Sequence, residues 1–388
     1  MTAQKLKILM LNYEFPPIGG GAGKANLCLL NEFAGNETLE IDVLTSRPEP
    51  GLIVEKLADN ITIYKVGVHK KNLHHWRKQE VIEWLFKGYF QYTKLLKNND
   101  YDLAHAFFGF PTGLFCRLSA ARLPYIISLR GSDVPGYNVR LSVDYKLLGG
   151  LFSSIWHKAS AVIANSKGLS DLASEFTPDI PIGVIANGVC PVRFSPPECR
   201  TYSGPLNVLT VCRLTARKRV DMLIEAVSLA LAGEVDVRLN IAGHGELFDE
   251  LNAFAVELNV SDRVNFLGRV PPADMPAVYR DNDVFVMSSA HEGMSNAMLE
   301  AMASGLPVIT TRCEGVEELI ADNGIIVGES SPRLIADAIV RFYRDKEQLA
   351  RMAHAAVNRA GEFTWKDVAE RYLAEYKKVI AERKLADG

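Results

Sequence analysis

Two apolar runs separated by a polar loop and one short helix leave a backbone few ways to close, and residues 283–311 have that form. Asp283-Val284-Phe285-Val286-Met287 reads as a buried strand entered from Asp281-Asn282. Glu292-Gly293 then falls in a turn, Ser295 or Asn296 can cap the next helix, and Ala297 to Ala303 are good helix formers. Gly305-Leu306-Pro307 stops that helix, and Val308 to Thr311 begins a second strand. In parallel α/β sheets, ligands bind outside the carboxyl ends of strands, where helix N-termini present free N–H groups. A loop carrying Glu292, Gly293, Met294, Ser295 and Asn296 at that place suits a polyhydroxylated, anionic ligand. A second carboxylate, Glu300, lies inside the helix.

The same alternation runs through the rest of the chain. Lys7–Leu11, Ile41–Thr45, Ile61–Val66, Asp102–Phe107, Tyr125–Leu129 and Ser160–Asn165 read as strands, with helices over Lys24–Phe33 and Val81–Lys97. A second series starts with Leu206–Cys212, a helix over Val220–Leu231, Val237–Ala242 and Val264–Val270. Between the two series, Pro191 to Pro205 is proline-rich and reads as a linker. The expected organisation is therefore an amino-terminal α/β lobe over 1–190, a linker over 191–205 and a carboxyl-terminal lobe over 206–364. A long amphipathic helix begins near Trp365 and is expected to pack back on the first lobe. A length of 388 residues is enough for two cores, and β-α-β alternation implies mostly parallel, doubly wound sheets.

Candidate site residues fall at strand ends. After the first strand comes Pro16-Pro17-Ile18-Gly19-Gly20-Gly21-Ala22-Gly23, a glycine-rich turn that lets backbone approach a ligand and offers N–H groups to phosphate. It is neither common nucleotide fingerprint, because Ile18 and Ala25 break one and Lys24 or Asn26 breaks the other. His105 ends a strand where a neutral imidazole could hydrogen-bond a sugar, or where it could serve the interior. Arg130 and Asp133 follow the next strand, and Asn165 the one after. Arg213 and Lys218 stand between the first strand and first helix of the second series, well placed for a pyrophosphate. Gly243, and Gly268-Arg269-Val270, close two further strands.

Composition excludes some functions. A formal charge of −3 lacks the basic field of a nucleic-acid binder. No apolar run approaches the length of a membrane span, and the opening residues read as a first strand rather than a signal peptide. Six cysteines without C-x-x-C pairing read as reduced thiols, which sets the expected location in the cytoplasm. One region is locally basic: residues 65–97 carry eight Lys or Arg against Glu80 and Glu83, with Trp76, Trp84, Phe86, Tyr89 and Phe90 interleaved. A helix of that kind can lie on an anionic membrane, here the inner face of the plasma membrane, or it can be a solvated face over a packed aromatic stripe.

Glu292 and Glu300, eight residues apart with Gly293 after the first, resemble the E-x7-E signature of the retaining, GT-B-fold glycosyltransferases of family 4. Pro-Pro-x-x-Gly-Gly after the first strand, Asn187-Gly188-Val189 with Arg193-Phe194 before the second lobe, and Arg213-Leu214-x-x-x-Lys218 are similar to stretches of the same family. The resemblance implies two Rossmann-like lobes facing a central cleft, with a nucleoside-diphosphate sugar as donor and a UDP- or GDP-sugar the expected form. By it, Glu300 binds the donor ribose, while Glu292 and the backbone of Gly293 to Asn296 hold the sugar. Arg213 and Lys218 take the diphosphate, Gly20, Gly21 and Gly243 meet the phosphates, and Gly268 to Val270 lie against the base. His105, Arg130 and Glu292 fall to catalysis, and Asp133 and Asn165 to a glycan or lipid-linked acceptor. No metal or other cofactor is required. Arg130 stands where this family commonly has a histidine. Two rivals remain at this stage: a nucleotide-sugar epimerase of similar fold, which would need no acceptor, and a non-catalytic sugar-nucleotide-binding protein.

Overall fold

The computed structural model describes residues 5–138, 141–328 and 330–387. The chain divides into two compact units, residues 1–186 with 365–388, and residues 187–364.

The first unit is built on β1 (Leu6–Asn12), β2 (Leu39–Arg47), β3 (Leu52–Ala58), β4 (Ile61–Gly67), β5 (Leu103–Phe107), β6 (Tyr125–Leu129), β7 (Ala161–Ala164) and β8 (Ile182–Val184). They form one sheet in the order β3-β4-β2-β1-β5-β6-β7-β8. Helices α1 (Gly21–Phe33), α2 (Lys78–Asn98), α3 (Thr112–Leu118), α4 (Ser142–His157) and α5 (Lys167–Phe176) connect the strands. Ile8, Leu9, Met10 and Leu11 of β1 are all fully buried, as a central parallel strand covered on both faces must be. Chain order reverses between β1 and β5, so the switch point of this sheet lies at the glycine-rich turn. β3 departs from the sequence reading. It pairs antiparallel with β4 at the sheet edge, and its Leu52, Ile53 and Val54 are exposed, so no buried apolar run announces it.

The second unit has six parallel strands: β9 (Leu206–Val211), β10 (Val237–Ala242), β11 (Val264–Gly268), β12 (Val284–Met287), β13 (Val308–Thr311) and β14 (Gly324–Val327). Their order is β11-β10-β9-β12-β13-β14, with the reversal between β9 and β12. A single 3-10 turn (Ala216–Lys218), then α6 (Val220–Ala232), α7 (Phe248–Glu257), α8 (Met275–Arg280), α9 (Asn296–Ala303), α10 (Val316–Leu319), α11 (Pro332–Arg344) and α12 (Lys346–Gly361) complete it. Residues 191–205 belong to this unit and are fastened to it. Phe194 sits edge-on to Tyr279 at 5.7 Å, and Arg200 donates to the carbonyls of Asn282 and Ser304.

The last helix, α13 (Trp365–Asp387), belongs to the first unit and packs against α1. Its Tyr372 and Tyr376 are buried there, and Arg371 and Arg383 donate to the carbonyls of Val184 and Ala121. Among the described residues, no helix is long and apolar enough to cross a membrane.

Candidate functional site

The loops that leave β9 and β12 meet at the reversal of the second sheet, and each supplies one member of an ion pair. After β9 the chain makes its 3-10 turn, and Arg219 takes a left-handed conformation with φ of 49° before α6 begins. Ser288 donates to the carbonyls of both Lys218 and Arg219 at 2.8 Å, which holds this corner against the end of β12. Arg217 donates through Nη1 to the His291 carbonyl at 2.8 Å, and the Ala290 N–H returns to the Arg217 carbonyl at 3.0 Å. The Lys218 ammonium then lies in contact with the Glu292 carboxylate, both side chains largely buried. Burial alone would raise the Glu292 carboxyl, but the charges of Lys218 and Arg217 and the Lys218 hydrogen bond hold it below the usual range.

From Glu292 the chain runs into α9, where Ser295 is the N-cap and its Oγ accepts from the Met298 N–H at 3.3 Å. Gly293, Met294 and Ser295 are buried, and Asn296 is half-buried. Asn187 braces them, its Nδ2 donating to the Met294 carbonyl at 3.2 Å and to Asn296 Oδ1 at 2.9 Å. Sequence reading treats Asn187 only as part of a connector. Glu292, Gly293, Ser295, Glu314 and Gly315 line a tight crevice beside this loop. Arg213 is exposed at the end of β9. Gly243 ends β10 with φ of 143°, and a Cβ there would lie 1.8 Å from the Cys212 carbonyl oxygen, so only glycine fits. Its N–H donates to the Gly268 carbonyl at 2.8 Å, and exposed Arg269 and half-buried Val270 follow. All these positions lie along the carboxyl edge of one sheet. Glu300 lies apart from the pair, buried on α9, with Oε2 accepting from the Tyr279 hydroxyl at 3.1 Å.

Residues 19–193 match the model of glycosyltransferase family 4, and residues 205–345 match that of the glycosyl transferases group 1. The chain belongs to the GT-B glycosyltransferases of family 4. A D-inositol 3-phosphate glycosyltransferase of Corynebacterium glutamicum is 26% identical over 97% of each chain. Sucrose-phosphate synthase from Thermosynechococcus elongatus superposes with a TM-score of 0.82 at 19% identity, covering 97% of this chain and all of that one. Anabaena HepE, solved in complex with UDP-glucose, gives a TM-score of 0.67 at 20% identity over 98% and 100% of the two chains. The chain is thus a glycosyl-transferring enzyme with two parallel-sheet lobes.

In the amino-terminal lobe of this glycosyltransferase, His105 and Asp133 are interior groups. His105 is fully buried, with Nδ1 2.7 Å from the Tyr376 hydroxyl and Nε2 2.7 Å from Ser128 Oγ. Both ring nitrogens are taken by interior partners, which is the interior one of its two sequence readings. Burial, with the Arg130 charge acting the same way, pulls its imidazole well below the ordinary value and keeps it neutral. Asp133 is likewise an interior group rather than an acceptor contact, its carboxylate accepting from the Gly109 N–H at 2.7 Å and the Arg130 N–H at 2.9 Å. Burial raises its carboxyl, and those N–H donors offset part of the rise. Arg130 stacks its guanidinium 4.3 Å from the Phe107 ring centre and reaches the Tyr372 hydroxyl at 3.4 Å. Asn165 is buried beside the N-cap Ser166, and its Oδ1 has no hydrogen-bond partner within the protein.

The glycine-rich turn divides its labour. Gly19 has φ of 91°, and a Cβ there would strike the Glu14 side chain at 2.6 Å, so this position shapes the turn. Gly20 and Gly21 are exposed at the N-terminus of α1, where Gly20 has no atom within 4 Å of an added Cβ. Among the described residues, no cluster of three or more His, Cys, Asp or Glu is placed to hold a metal ion.

Proposed function

We propose that the enzyme moves a sugar from a nucleoside-diphosphate sugar to an acceptor hydroxyl with retained anomeric configuration. The observation that carries this reading is the Lys218–Glu292 pair at the switch point of the second sheet. A sugar and its pyrophosphate are adjacent parts of one ligand, so an acid for hydroxyls and a cation for phosphate belong side by side. Glu292 holds the sugar hydroxyls, with the backbone of Gly293 to Asn296. Lys218 and Arg213 take the diphosphate, and Gly243 allows the phosphate side of the loop to close up. Glu300 takes the ribose and Gly268 to Val270 the base. The sugar–phosphate C–O bond breaks as the bond to the acceptor oxygen forms, and the acceptor proton passes to the leaving diphosphate. Cations positioned where that charge develops lower the barrier without a bound metal ion. Arg130 and Asn165 stand on the acceptor side, and the acceptor is a glycan or lipid-linked sugar of cell-surface synthesis.

A thermal-shift panel of UDP- and GDP-sugars tests the donor assignment, because ligand bound to the native state raises its melting temperature. One nucleotide sugar at about 100 times its Kd is expected to add about 2.7 kcal/mol of stability and to be consumed when acceptor is present. A panel in which no nucleotide sugar moves the transition or supports transfer sinks the reading.

The lipid-linked acceptor would bring the enzyme to an anionic membrane. Within residues 65–97 only part of the aromatic series is available for this: Trp84 is fully buried and Tyr89 half-buried, whereas Phe86 and Phe90 are 76% and 71% exposed on α2. Val143 and Leu147, also exposed, lie on α4, which α2 meets through the Lys78–Asp144 pair at 2.7 Å. Two phenylalanines at about 2 kcal/mol each should outweigh single lysines, worth about 1 kcal/mol each at such a surface. Phe86→Ser with Phe90→Ser is therefore expected to abolish co-sedimentation with phosphatidylglycerol vesicles, while moderate salt only weakens it. Wild-type protein that stays in the supernatant at low salt removes the membrane from the reading.

A further inference from the structure

We propose that Glu314 is a positioning residue that pins the loop carrying Glu292. The inference rests on the glycosyl-transfer reading for its catalytic consequence, and on geometry alone for the pinning itself. Glu314 follows β13, the strand that lies beside β12 in the sheet. Its Oε2 accepts from the Glu292 backbone N–H at 3.1 Å, and its Oε1 lies 3.0 Å from His291 Nδ1. One carboxylate therefore grips two consecutive residues of the loop, one by backbone and one by side chain. From the same side, Thr311 Oγ1 donates to the Ser289 carbonyl at 3.0 Å. From the opposite side Arg217 holds the His291 carbonyl and Lys218 the Glu292 carboxylate. The loop between β12 and α9 is thus stretched between the two strands that flank β12, β9 and β13.

This arrangement does something a generic surface carboxylate would not. Glu292 hangs from a segment with no regular hydrogen bonding of its own, so the direction of its carboxylate depends on the pins. Lys218 pulls on the carboxylate and would also serve the ligand's phosphate, so it cannot alone fix the loop while the sugar binds. Glu314 grips the backbone behind Glu292 and is not spent on the phosphate. The Glu314 side chain is largely shielded from solvent, so its charge-assisted bonds are worth more than the same bonds in water. Its partners are those of a latch, not those of a helix cap.

Two variants, Glu314→Ala and Glu314→Gln, test this on the full-length chain. Glu314→Ala is expected to speed amide exchange over residues 288–293 by about tenfold, the loss expected when hydrogen bonds to a charged acceptor go. Exchange in β12 and β13 should not change. With the donor sugar found in the thermal-shift panel, kcat/KM should fall about 10²-fold, the cost of a misplaced contact. Binding of UDP or GDP alone, which lacks the sugar, should be unaltered. Glu314→Gln keeps a carbonyl oxygen for the Glu292 N–H and should recover most of both losses. Unchanged exchange in Glu314→Ala overturns the pinning, as does a loss that extends through β12 and β13. Faster exchange with wild-type kcat/KM overturns the catalytic consequence. Should wild-type enzyme use no nucleotide sugar, the glycosyl-transfer reading of the site falls, and the exchange measurement still decides the latch.

Discussion

Lys218→Ala is expected to lower kcat/KM by about 10²–10³-fold, the range for removing one preorganised charge from a site of developing negative charge. The same change leaves the Glu292 carboxylate in a largely buried place without its nearest cation. Breaking such a pair by removing one partner costs roughly 3 kcal/mol or more. Arg217 and Arg213 still act on Glu292, which should keep the figure at the low end. The sign with pH follows from the direction of the shift. In the wild type the folded carboxyl lies below the unfolded value of 4.5, so its contribution is complete above that pH and fades as pH falls through the folded pKa. In Lys218→Ala burial is opposed only by the more weakly acting arginines, so the carboxyl rises; the deficit against wild type should be fully present above pH 4.5 and narrow as pH falls below it. All four tryptophans (Trp76, Trp84, Trp156 and Trp365) lie in the first unit, so the loss must be followed by exchange or calorimetry rather than by indole fluorescence. Adding Glu292→Gln to Lys218→Ala should restore much of the stability and none of the turnover. A single variant with wild-type turnover would contradict the diphosphate role, and a double variant with wild-type turnover would remove both residues from the site.

The parts of this enzyme that were legible in the sequence are those where burial is local. β1, β5, β6 and β9 are largely covered on both faces, so each is a mostly apolar stretch that needs no partner to be seen. Ser295 as a cap and Gly305 as a stop are likewise decisions made within a few residues. What stayed illegible depends on distant groups. His105 reads as a candidate for sugar contact because nothing nearby shows that Tyr376, 271 residues later, comes to Nδ1 on a helix that returns to the first unit. Asp133 reads by resemblance as an acceptor-side residue, yet it holds the backbone N–H of Arg130 and of Gly109. Lys218 and Glu292 are each readable as ends of a ligand site, but their contact requires β9 and β12 to be neighbours, and that adjacency is a property of strand order. Glu314 was missed for the same reason: its partners His291 and Glu292 lie more than twenty residues back, and only β13 beside β12 brings it to them. β3 was missed for the opposite one, since an exposed edge strand carries no burial signal at all.

Glu80→Gln should destabilise the first unit strongly while leaving the site residues untouched. Glu80 is 2% exposed, and its carboxylate accepts from Lys70 Nζ at 2.8 Å, from the Lys71 and Arg77 N–H groups at 3.0 Å each, and from Arg77 Nε at 2.9 Å. Burial works against the charge, but these donors together bring the carboxyl down to about 2 from 4.5. At 1.36 kcal/mol for each pKa unit, that difference amounts to roughly 3 kcal/mol of stability at neutral pH. Glutamine keeps the shape and an acceptor oxygen but loses the charge, and so leaves the buried Lys70 ammonium, beside the His75 carbonyl and the Trp76 ring face 3.8 Å away, without its hydrogen-bonded counter-charge. Here the four tryptophans are an advantage, because their fluorescence reports the first unit alone. The urea midpoint of that transition should drop by an amount equivalent to about 3 kcal/mol at pH 7. The gap between variant and wild type should then narrow as pH falls from 4.5 toward 2, because the wild type loses in that window what the variant never had. A gap that is small at pH 7, or that persists unchanged at pH 2 to 3, would mean the network is not holding the charge. The consequence reaches the glycine-rich turn. Residues 68–77, which Glu80 ties to the start of α2, return the Leu73 carbonyl to the Gly19 N–H at 2.8 Å and His74 Nδ1 to the Gly19 carbonyl at 2.6 Å. Gly19, at the entry to this turn, is thus tied to a segment that a salt bridge some sixty residues further along the chain holds, and faster amide exchange at Gly19 to Gly23 should accompany the loss of stability in Glu80→Gln.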